Sequence, residues 1–406
     1  MSSPLARPLT LASGLVLGNR IAKASTSESL AERGNPNARL ETLYRAWSEG
    51  GAGLILTGNA MVTRRYRERM GNVVLDAETD RAALARYAAA CKTAGNAALV
   101  QISHPGRQCM RHVANDPVAP SAGAAVNILG AFAPPRALRE EEIESILDAF
   151  ATGAATCVEA GFDGVQVHAA HGYLISQFLS PRVNQRTDRW GGSLEHRARF
   201  LLEAVTRVRA KIGARKTVAV KLNSSDFQKG GFTPEESMDV VAMLDDAKID
   251  LLELSGGSYE SVALLGLDEK GSTVAREAYF LEYARAARAR TKVPVMLTGG
   301  MRTRAVMEQA IESGAVDVVG VARPICFTPD LPKRLLAGGE GAEKLDRPRA
   351  SVDVLEAAAE TGFYVAQIAR IADGRSPTRE MSTNAAALYY VSSDFSRGVK
   401  RSLFGE

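Results

Sequence analysis

A chain of 406 residues with ordinary apolar and charged fractions has the length for a large buried core, as one big domain or two smaller ones. Its net charge of +4 is small and its arginines are scattered, which excludes the concentrated basic face of a nucleic-acid-binding protein. The four dispersed cysteines (Cys91, Cys109, Cys157 and Cys326) form no CxxC pair and no apolar run is long enough to span a bilayer, so a soluble, cytoplasmic protein without zinc-ribbon or iron–sulfur character is expected.

In chain order the first element is a strand, RIAKAS (20–25). SEGGAGLILTG (48–58) then gives the acidic end of a helical pattern, a glycine break and an apolar run of strand length. ALVQIS (98–103) is a further strand, and VEAGFDGVQVH (158–168) repeats the helix–break–strand unit. SLEHRARFLLEAVTRVRAKIG (193–213) reads as a helix from a Ser cap to Gly213, and TVAVKLN (217–223) as a strand. TPEESMDVVAMLDD (233–246) is a helix with a Thr cap, Pro at its first position and Glu236 three past the cap. DDAKIDLLELSG (245–256) is the third copy of the unit, PVMLTG (294–299) another strand, and IESGAVDVVGVAR (311–323) the fourth copy.

The Gly, Ala or Lys break in each copy suits a helix end, where glycine accepts the left-handed conformation. The strand runs are near-continuous rather than alternating, as in a parallel sheet covered on both faces. Eight strands alternating with helices predict a TIM (β/α)₈ barrel with enlarged loops over residues 1–340. An open doubly wound sheet, the alternative, usually carries fewer strands and a glycine fingerprint after the first, which is missing here. Past residue 340 the rhythm stops. SVDVLEAAAETGFYVAQIARIADG (351–374) predicts one more amphipathic helix, and the tail holds Tyr389, Tyr390 and Phe395 without a clear period. Residues 341–406 are expected to form an arm on the barrel or on a neighbouring subunit, a partly disordered tail being the plainer reading.

In such a barrel chemistry sits at the C-terminal strand ends. Those ends supply Ser27, Gly58, Asn59, Gln101, His168, His171 and Tyr173, then Lys221, Ser255, Gly256, Thr298, Gly299, Gly300, Ala322 and Arg323. TGGMRTR (298–304) reads as a Gly-Gly turn feeding a helix, and VARP (321–324) ends the last strand with an arginine. Backbone N–H groups at a helix start after strands seven and eight commonly hold a phosphate, so a phosphorylated substrate or a cofactor such as FMN is expected. Gln101 and Lys221 should point across the barrel mouth. An amide and a cation there suit the pyrimidine edge of a flavin and the charge of its reduced form. A lysine at a barrel mouth equally suits a Schiff base, and the residues alone leave both open.

HAAHGY (168–173) places two of the chain's five histidines three apart. Without a carboxylate in the motif or a third ligand, zinc ranks low, and His104 in the nearby HPGRQ reads as the cap of a turn. Two imidazoles and a tyrosine on one strand-end turn favour a shared polar target. Their N–H groups hold a carbonyl oxygen and the enolate that forms there, and Tyr173 gives a proton to carbon.

HAAHGYLISQFLSPRVNQRTDRWGGSLEHRARF (168–200) closely resembles the signature of the Old Yellow Enzyme family of FMN-dependent ene-reductases. GLILTGNAMV (53–62), VQISHPGRQ (100–108), VAVKLNSSDFQKGGF (218–232), LLELSGGSYE (251–260), REAYFLEYA (276–284) and VPVMLTGGMRTR (293–304) resemble further blocks of that family, in order. The resemblance implies that His168 and His171 bind the substrate's carbonyl or other electron-withdrawing group and that Tyr173 donates the proton. It puts Gln101 on the flavin pyrimidine edge and Lys221 where relatives usually carry arginine. Ser25, Thr26 and Asn59 would line the flavin, and Ser27 takes the place of a Thr or Cys touching its O4. Thr298, Gly299, Gly300, Ala322 and Arg323 would hold the phosphate.

The reaction implied is ping-pong. NADH or NADPH reduces FMN and leaves, then hydride passes to the β-carbon of an activated alkene and Tyr173 protonates the α-carbon. Relatives that reduce dienoyl-CoA add a four-cysteine cluster and a second nucleotide-binding domain, and this chain has neither. The expected partner is a small-molecule activated alkene, with no nucleic acid or membrane, in a homo-oligomer. Competing readings are an NAD(P)H oxidase with a non-enone acceptor, a metal-dependent barrel hydrolase and a non-catalytic flavin-binding scaffold.

Overall fold

Strands that are apolar on both faces need one cover inside and another outside, and a sheet that closes on itself supplies the inner one. The computed structural model describes residues 3–127, 130–255, 273–342, 353–390 and 392, so Gly256 and Phe395 lie outside it. Its barrel strands are β1 (Ile21–Lys23), β2 (Leu54–Leu56), β3 (Ala97–Ser103), β4 (Gly164–Ala169), β5 (Thr217–Asn223), β6 (Leu251–Ser255), β7 (Val295–Thr298) and β8 (Val318–Val321). Each falls on a predicted segment. Every strand pairs in parallel with the next, and β8 returns to β1, closing an eight-stranded barrel.

The register sorts side chains by face. Ala22, Leu54, Leu99, Ala219, Leu251, Met296 and Val318 form one apolar cluster inside the barrel, joined by Leu11 and Leu17 from the N-terminal hairpin. The other strand faces pack on the helices in a second, larger cluster. Because side chains alternate along a strand, the next inward positions toward the C-terminal ends are Gln101, Gln166, His168, Lys221, Glu253 and Thr298. The interior is therefore apolar below and polar at the mouth.

The helix–strand breaks are left-handed in all four copies: Gly51 at φ 91°, Gly161 at 105°, Lys248 at 55° and Gly314 at 71°. Two residues past the break in the second and third copies, and three past it in the fourth, an aspartate turns toward the preceding strand. Asp163 accepts from Ala98 N–H of β3 at 2.9 Å, Asp250 from Val218 of β5 at 2.8 Å and Asp317 from Val295 of β7 at 2.8 Å. Each carboxylate also holds a cation: Lys92 at 2.7 Å, Arg209 at 2.5 Å and Arg288, respectively. In the first copy Gly53 stands there instead, and Asn19 Oδ1 accepts from Gly53 and Ile21 N–H, both at 3.0 Å. Strand-base donors that would otherwise be buried unpaired are satisfied this way.

Helix Pro234–Asp246 opens with the predicted capping box, Thr233 and Glu236 each accepting the other's backbone N–H at 3.2 Å. Helix Leu194–Ile212 starts on Ser193 and stops at Gly213, φ 80°. The predicted late helix forms as Asp353–Ala372 and lies on helix Ala38–Glu49 and the loop after β8, with Arg39 paired to Asp373 at 2.7 Å. A further helical stretch, 383–390, folds back so that Ala386 packs on Ala359 and Phe363. The described part of the arm thus rests on its own barrel. Among the described residues no helix is long and apolar enough to cross a membrane.

The aspartate joints make a stability prediction. Asp250→Ala is expected to cost about 1.5–3 kcal/mol, the range for hydrogen bonds to a charged group. Asp148→Ala, whose bridge to Arg207 is mostly solvated, should shift the denaturation midpoint little. Equal losses in urea unfolding would show that the joint aspartates have no special role.

Candidate active site

At the barrel mouth Lys221 and Glu253 are register partners on β5 and β6. Lys221 Nζ lies 2.9 Å from Glu253 Oε1, with the carboxylate fully buried and the lysine only 3% exposed. Glu253 Oε2 accepts from Gln166 Nε2 at 2.7 Å, and Gln166 Oε1 accepts from Gln101 Nε2 at 2.7 Å. Gln101 Oε1 in turn accepts from the Ser25 hydroxyl at 2.9 Å. One polar chain therefore links the predicted Lys221, Gln101 and Ser25 through Glu253 and Gln166, which sequence reasoning missed. Their signal was a single polar residue inside an apolar run, VQV and LLEL. An ammonium held by a buried carboxylate is not the free amine that a Schiff base requires, so that reading loses its footing.

His168 stands beside Lys221 in the register of β4 and β5. Its Nδ1 accepts from Ala170 N–H at 3.3 Å, which leaves the neutral ring's proton on Nε2. His171 occupies a left-handed turn, φ 61°, followed by Gly172 at 76°. Asn223 Oδ1 accepts its N–H and Gln108 Nε2 donates to its carbonyl, both at 3.0 Å, and its Nε2 lies 2.8 Å from Ser255 Oγ. The two imidazoles meet edge to face with centroids 5.3 Å apart, and the Tyr173 ring sits 4.8 Å from that of His168. Desolvation pushes both imidazoles well below their ordinary range, the Lys221 charge adds to this, and His168 acts further on His171. Both are neutral at physiological pH. His104 belongs to the turn, accepting Gly106 N–H at 3.1 Å, and burial takes it down to about 3.

The loop after β1 is anchored from below and from the side. Lys23, fully buried, donates to Thr26 Oγ1 at 3.2 Å and to Leu56 O at 3.1 Å. Glu28 accepts from Gly58 N–H at 2.8 Å and from Tyr44, tying this loop to the end of β2. Ser27 donates to Asn59 Oδ1 at 2.8 Å and Glu68 Oε2 at 3.0 Å, and Asn59 Nδ2 donates to the same Glu68 oxygen at 2.8 Å. Ser27 thus commits its one proton to protein acceptors. Glu68, 3% exposed, escapes sequence reading because RRYRERM (64–70) looks like a solvated charged stretch.

At the other end of the mouth, Thr298 Oγ1 is buried with no hydrogen-bond partner among the described residues. Gly299 and Gly300 follow at φ 132° and 73°. The expected helix begins only at Arg304, capped by Thr303, whose Oγ1 accepts Val306 N–H at 3.4 Å. The glycine turn itself, rather than a helix N-terminus, therefore borders the strand end. Ala322 precedes the short helix Arg323–Phe327, and Arg323 Nη1 pairs with Glu360 Oε1 of the arm helix at 2.7 Å. With five N–H donors the guanidinium keeps others for a second anion. An amide and a cation at one end, an unpaired hydroxyl and a glycine turn at the other, fit a flavin mononucleotide. Among the described residues no three His, Cys, Asp or Glu side chains gather to hold a metal ion, so the third ligand of a zinc reading is not supplied there.

The sequence profile of the NADH:flavin oxidoreductase / NADH oxidase family matches residues 4–340. The chain is 37% identical over 364 residues to NADH-dependent flavin oxidoreductase iliE of Hypocrea jecorina (strain QM6a), covering 82% of this chain and 89% of that protein. A structure of 2-naphthoyl-CoA reductase with 2-naphthoyl-CoA superposes with a TM-score of 0.77 and 30% identity, covering 83% of this chain and 52% of that one. An Old Yellow Enzyme homologue from Zymomonas mobilis gives 0.70 and 26%, covering 84% and 94%. The profile spans the whole barrel, and the chain belongs to the Old Yellow Enzyme family of NADH:flavin oxidoreductases.

Proposed function

We propose that this chain is an FMN-dependent ene-reductase that uses NADH or NADPH to saturate the C=C bond of α,β-unsaturated carbonyl compounds. The observation that carries the reading is the pair of neutral imidazoles, His168 buried and His171 partly buried, beside Tyr173 at one strand end. FMN, when bound, supplies the hydride, accepted from the nicotinamide and passed to the alkene β-carbon in a ping-pong sequence. All other work falls to the protein.

Gln101 and Lys221 hold the pyrimidine edge, with Ser25, Thr26, Ser27 and Asn59 alongside. Thr298, Gly299 and Gly300 take the phosphate, with Ala322 and Arg323 at its flank. His168 donates through Nε2, and His171, in the tautomer whose Nε2 accepts from Ser255 Oγ, donates through Nδ1. Both donors meet the substrate oxygen, and they strengthen as charge develops on it in a site poor in water. Tyr173 gives its hydroxyl proton to the α-carbon. The 2-naphthoyl-CoA found with one structural relative has a carbonyl conjugated to an unsaturated ring, which supports a carbonyl-activated substrate.

The deciding experiment is an anaerobic visible spectrum before and after NADH, then after cyclohexenone. A yellow band that bleaches and returns with the enone is expected, whereas return only with oxygen would move the case to an NADH oxidase. By stopped flow, His168→Ala and His171→Ala should slow that return by about 10²–10³ while flavin stays bound. Tyr173→Phe should slow it by about 10²–10⁴. Rapid enone reduction by both histidine variants would count against the assignment.

The same imidazoles fix a pH dependence. Their folded pKa values lie below the unfolded value of about 6.5, so both remain neutral as pH falls through 6.5 and the enone step shows no acid limb there. The unfolded chain does take up those protons, so stability is full above pH 6.5 and declines below it, with His104 contributing down to about 3. Ring-proton NMR checks this directly: a midpoint near 6.5 for His168 or His171 would overturn it.

A further inference from the structure

We propose that Glu253 is a positioning residue that orients the Gln101 amide and offsets the Lys221 charge, thereby setting both the selectivity for the flavin imide and the reduction potential. The proposal rests on the flavin reading above and goes beyond it.

The orientation argument needs only hydrogen-bond chemistry. A carboxylate has acceptors and no donor. Gln166 must therefore turn its NH₂ toward Glu253, at 2.7 Å, which leaves Gln166 Oε1 facing Gln101. Gln101 must then turn its own NH₂ toward Gln166, at 2.7 Å, and its Oε1 toward Ser25, at 2.9 Å. The polarity of the amide at the mouth is thus decided two side chains away. An acceptor and one remaining N–H are left in a fixed order, the order that reads an imide N–H beside a carbonyl. With glutamine at 253 the donor-only Lys221 takes the amide oxygen, the NH₂ turns to Gln166, and the order of donor and acceptor at Gln101 is reversed.

The charge argument is independent. Lys221 is a compact cation with three donors, and its carboxylate partner sits 2.9 Å away with no exposure to water. The pair presents less positive charge to a neighbouring ring than a lone ammonium would. Removing the carboxylate charge unmasks the lysine and favours the anionic reduced flavin. Register on β5 and β6 is set by backbone pairing, so Glu253→Gln changes charge and polarity with the frame in place.

The test uses the full-length holoprotein as wild type, Glu253→Gln, Glu253→Asp and the double variant Lys221→Met/Glu253→Gln. Dye-coupled anaerobic titration gives the flavin midpoint potential, and equilibrium binding compares FMN with 3-methyl-FMN, which lacks the imide donor. Wild type should favour FMN by about tenfold or more, the worth of one well-placed hydrogen bond. Glu253→Gln should narrow that ratio and raise the potential, and Glu253→Asp should restore both toward wild type. The double variant should keep the narrowed ratio with a potential below that of Glu253→Gln. Wild-type potential and selectivity in Glu253→Gln would overturn the proposal alone. Should Glu253→Gln fail to hold flavin, the double variant decides, with no unpaired charge left: a wild-type selectivity ratio there overturns the proposal. A wild-type chain that takes up no flavin overturns the functional reading and the proposal together.

Discussion

Two opposite charges held side by side inside a closed barrel set the terms for everything at its mouth. Moving either Lys221 or Glu253 out of water costs several kcal/mol, and their attraction offsets this only if the remaining polar atoms are satisfied. The second oxygen of Glu253 is filled by Gln166, whose own oxygen needs Gln101, whose oxygen needs Ser25. The polar floor of the site is thus what one buried ion pair requires of its surroundings. The same ammonium also helps keep His168 and His171 uncharged. The cation proposed for the flavin's anionic end therefore also maintains two neutral imidazoles at the mouth. These are not separable features, and a change at Lys221 acts on both.

The arm meets this arrangement at two further points. Glu360 pairs with Arg323 in the loop after β8. Tyr390 stacks on Arg69, 4.4 Å from its guanidinium to the ring centre, and Arg69 lies 3.5 Å from the Glu68 carboxylate that holds Ser27 and Asn59. Both contacts land on loops that carry expected cofactor-lining residues, one toward the phosphate end and one toward the ring. The arm is thereby coupled to the geometry of the mouth without any of its described residues needing to enter it. Gly362 shows how closely its two helical stretches fit, since a Cβ there would lie 1.9 Å from Ala386 O.

Much of the barrel was legible because its signals are local. A strand buried on both faces must be apolar throughout, and a helix that turns into such a strand must pass through a left-handed residue. Lys248 makes the point, for the position needs that conformation even where glycine is absent. His168, His171 and Tyr173 were legible for the same reason, being three polar groups within one turn. The joint aspartates stand two or three residues past their breaks, yet their role is invisible in one dimension. The N–H each accepts belongs to the preceding strand, 65 residues away for Asp163 and 32 for Asp250.

Gln166 and Glu253 lie between these cases. Alternation along VQV and LLEL assigns each to one face, but the two faces of a parallel strand are both buried, so parity alone does not say whether a polar residue looks into the barrel or out to a helix. Closure decides it: once β4 and β6 both flank β5, Gln166 falls beside Ala219 and Glu253 beside Lys221, on the side that holds the inner apolar cluster. A lone polar residue on that face has only its inward neighbours for partners. Sequence names the residue, and the ring of strands names its partner. That is why the turn carrying His168, His171 and Tyr173 was readable from the chain and the side-chain relay beneath it was not.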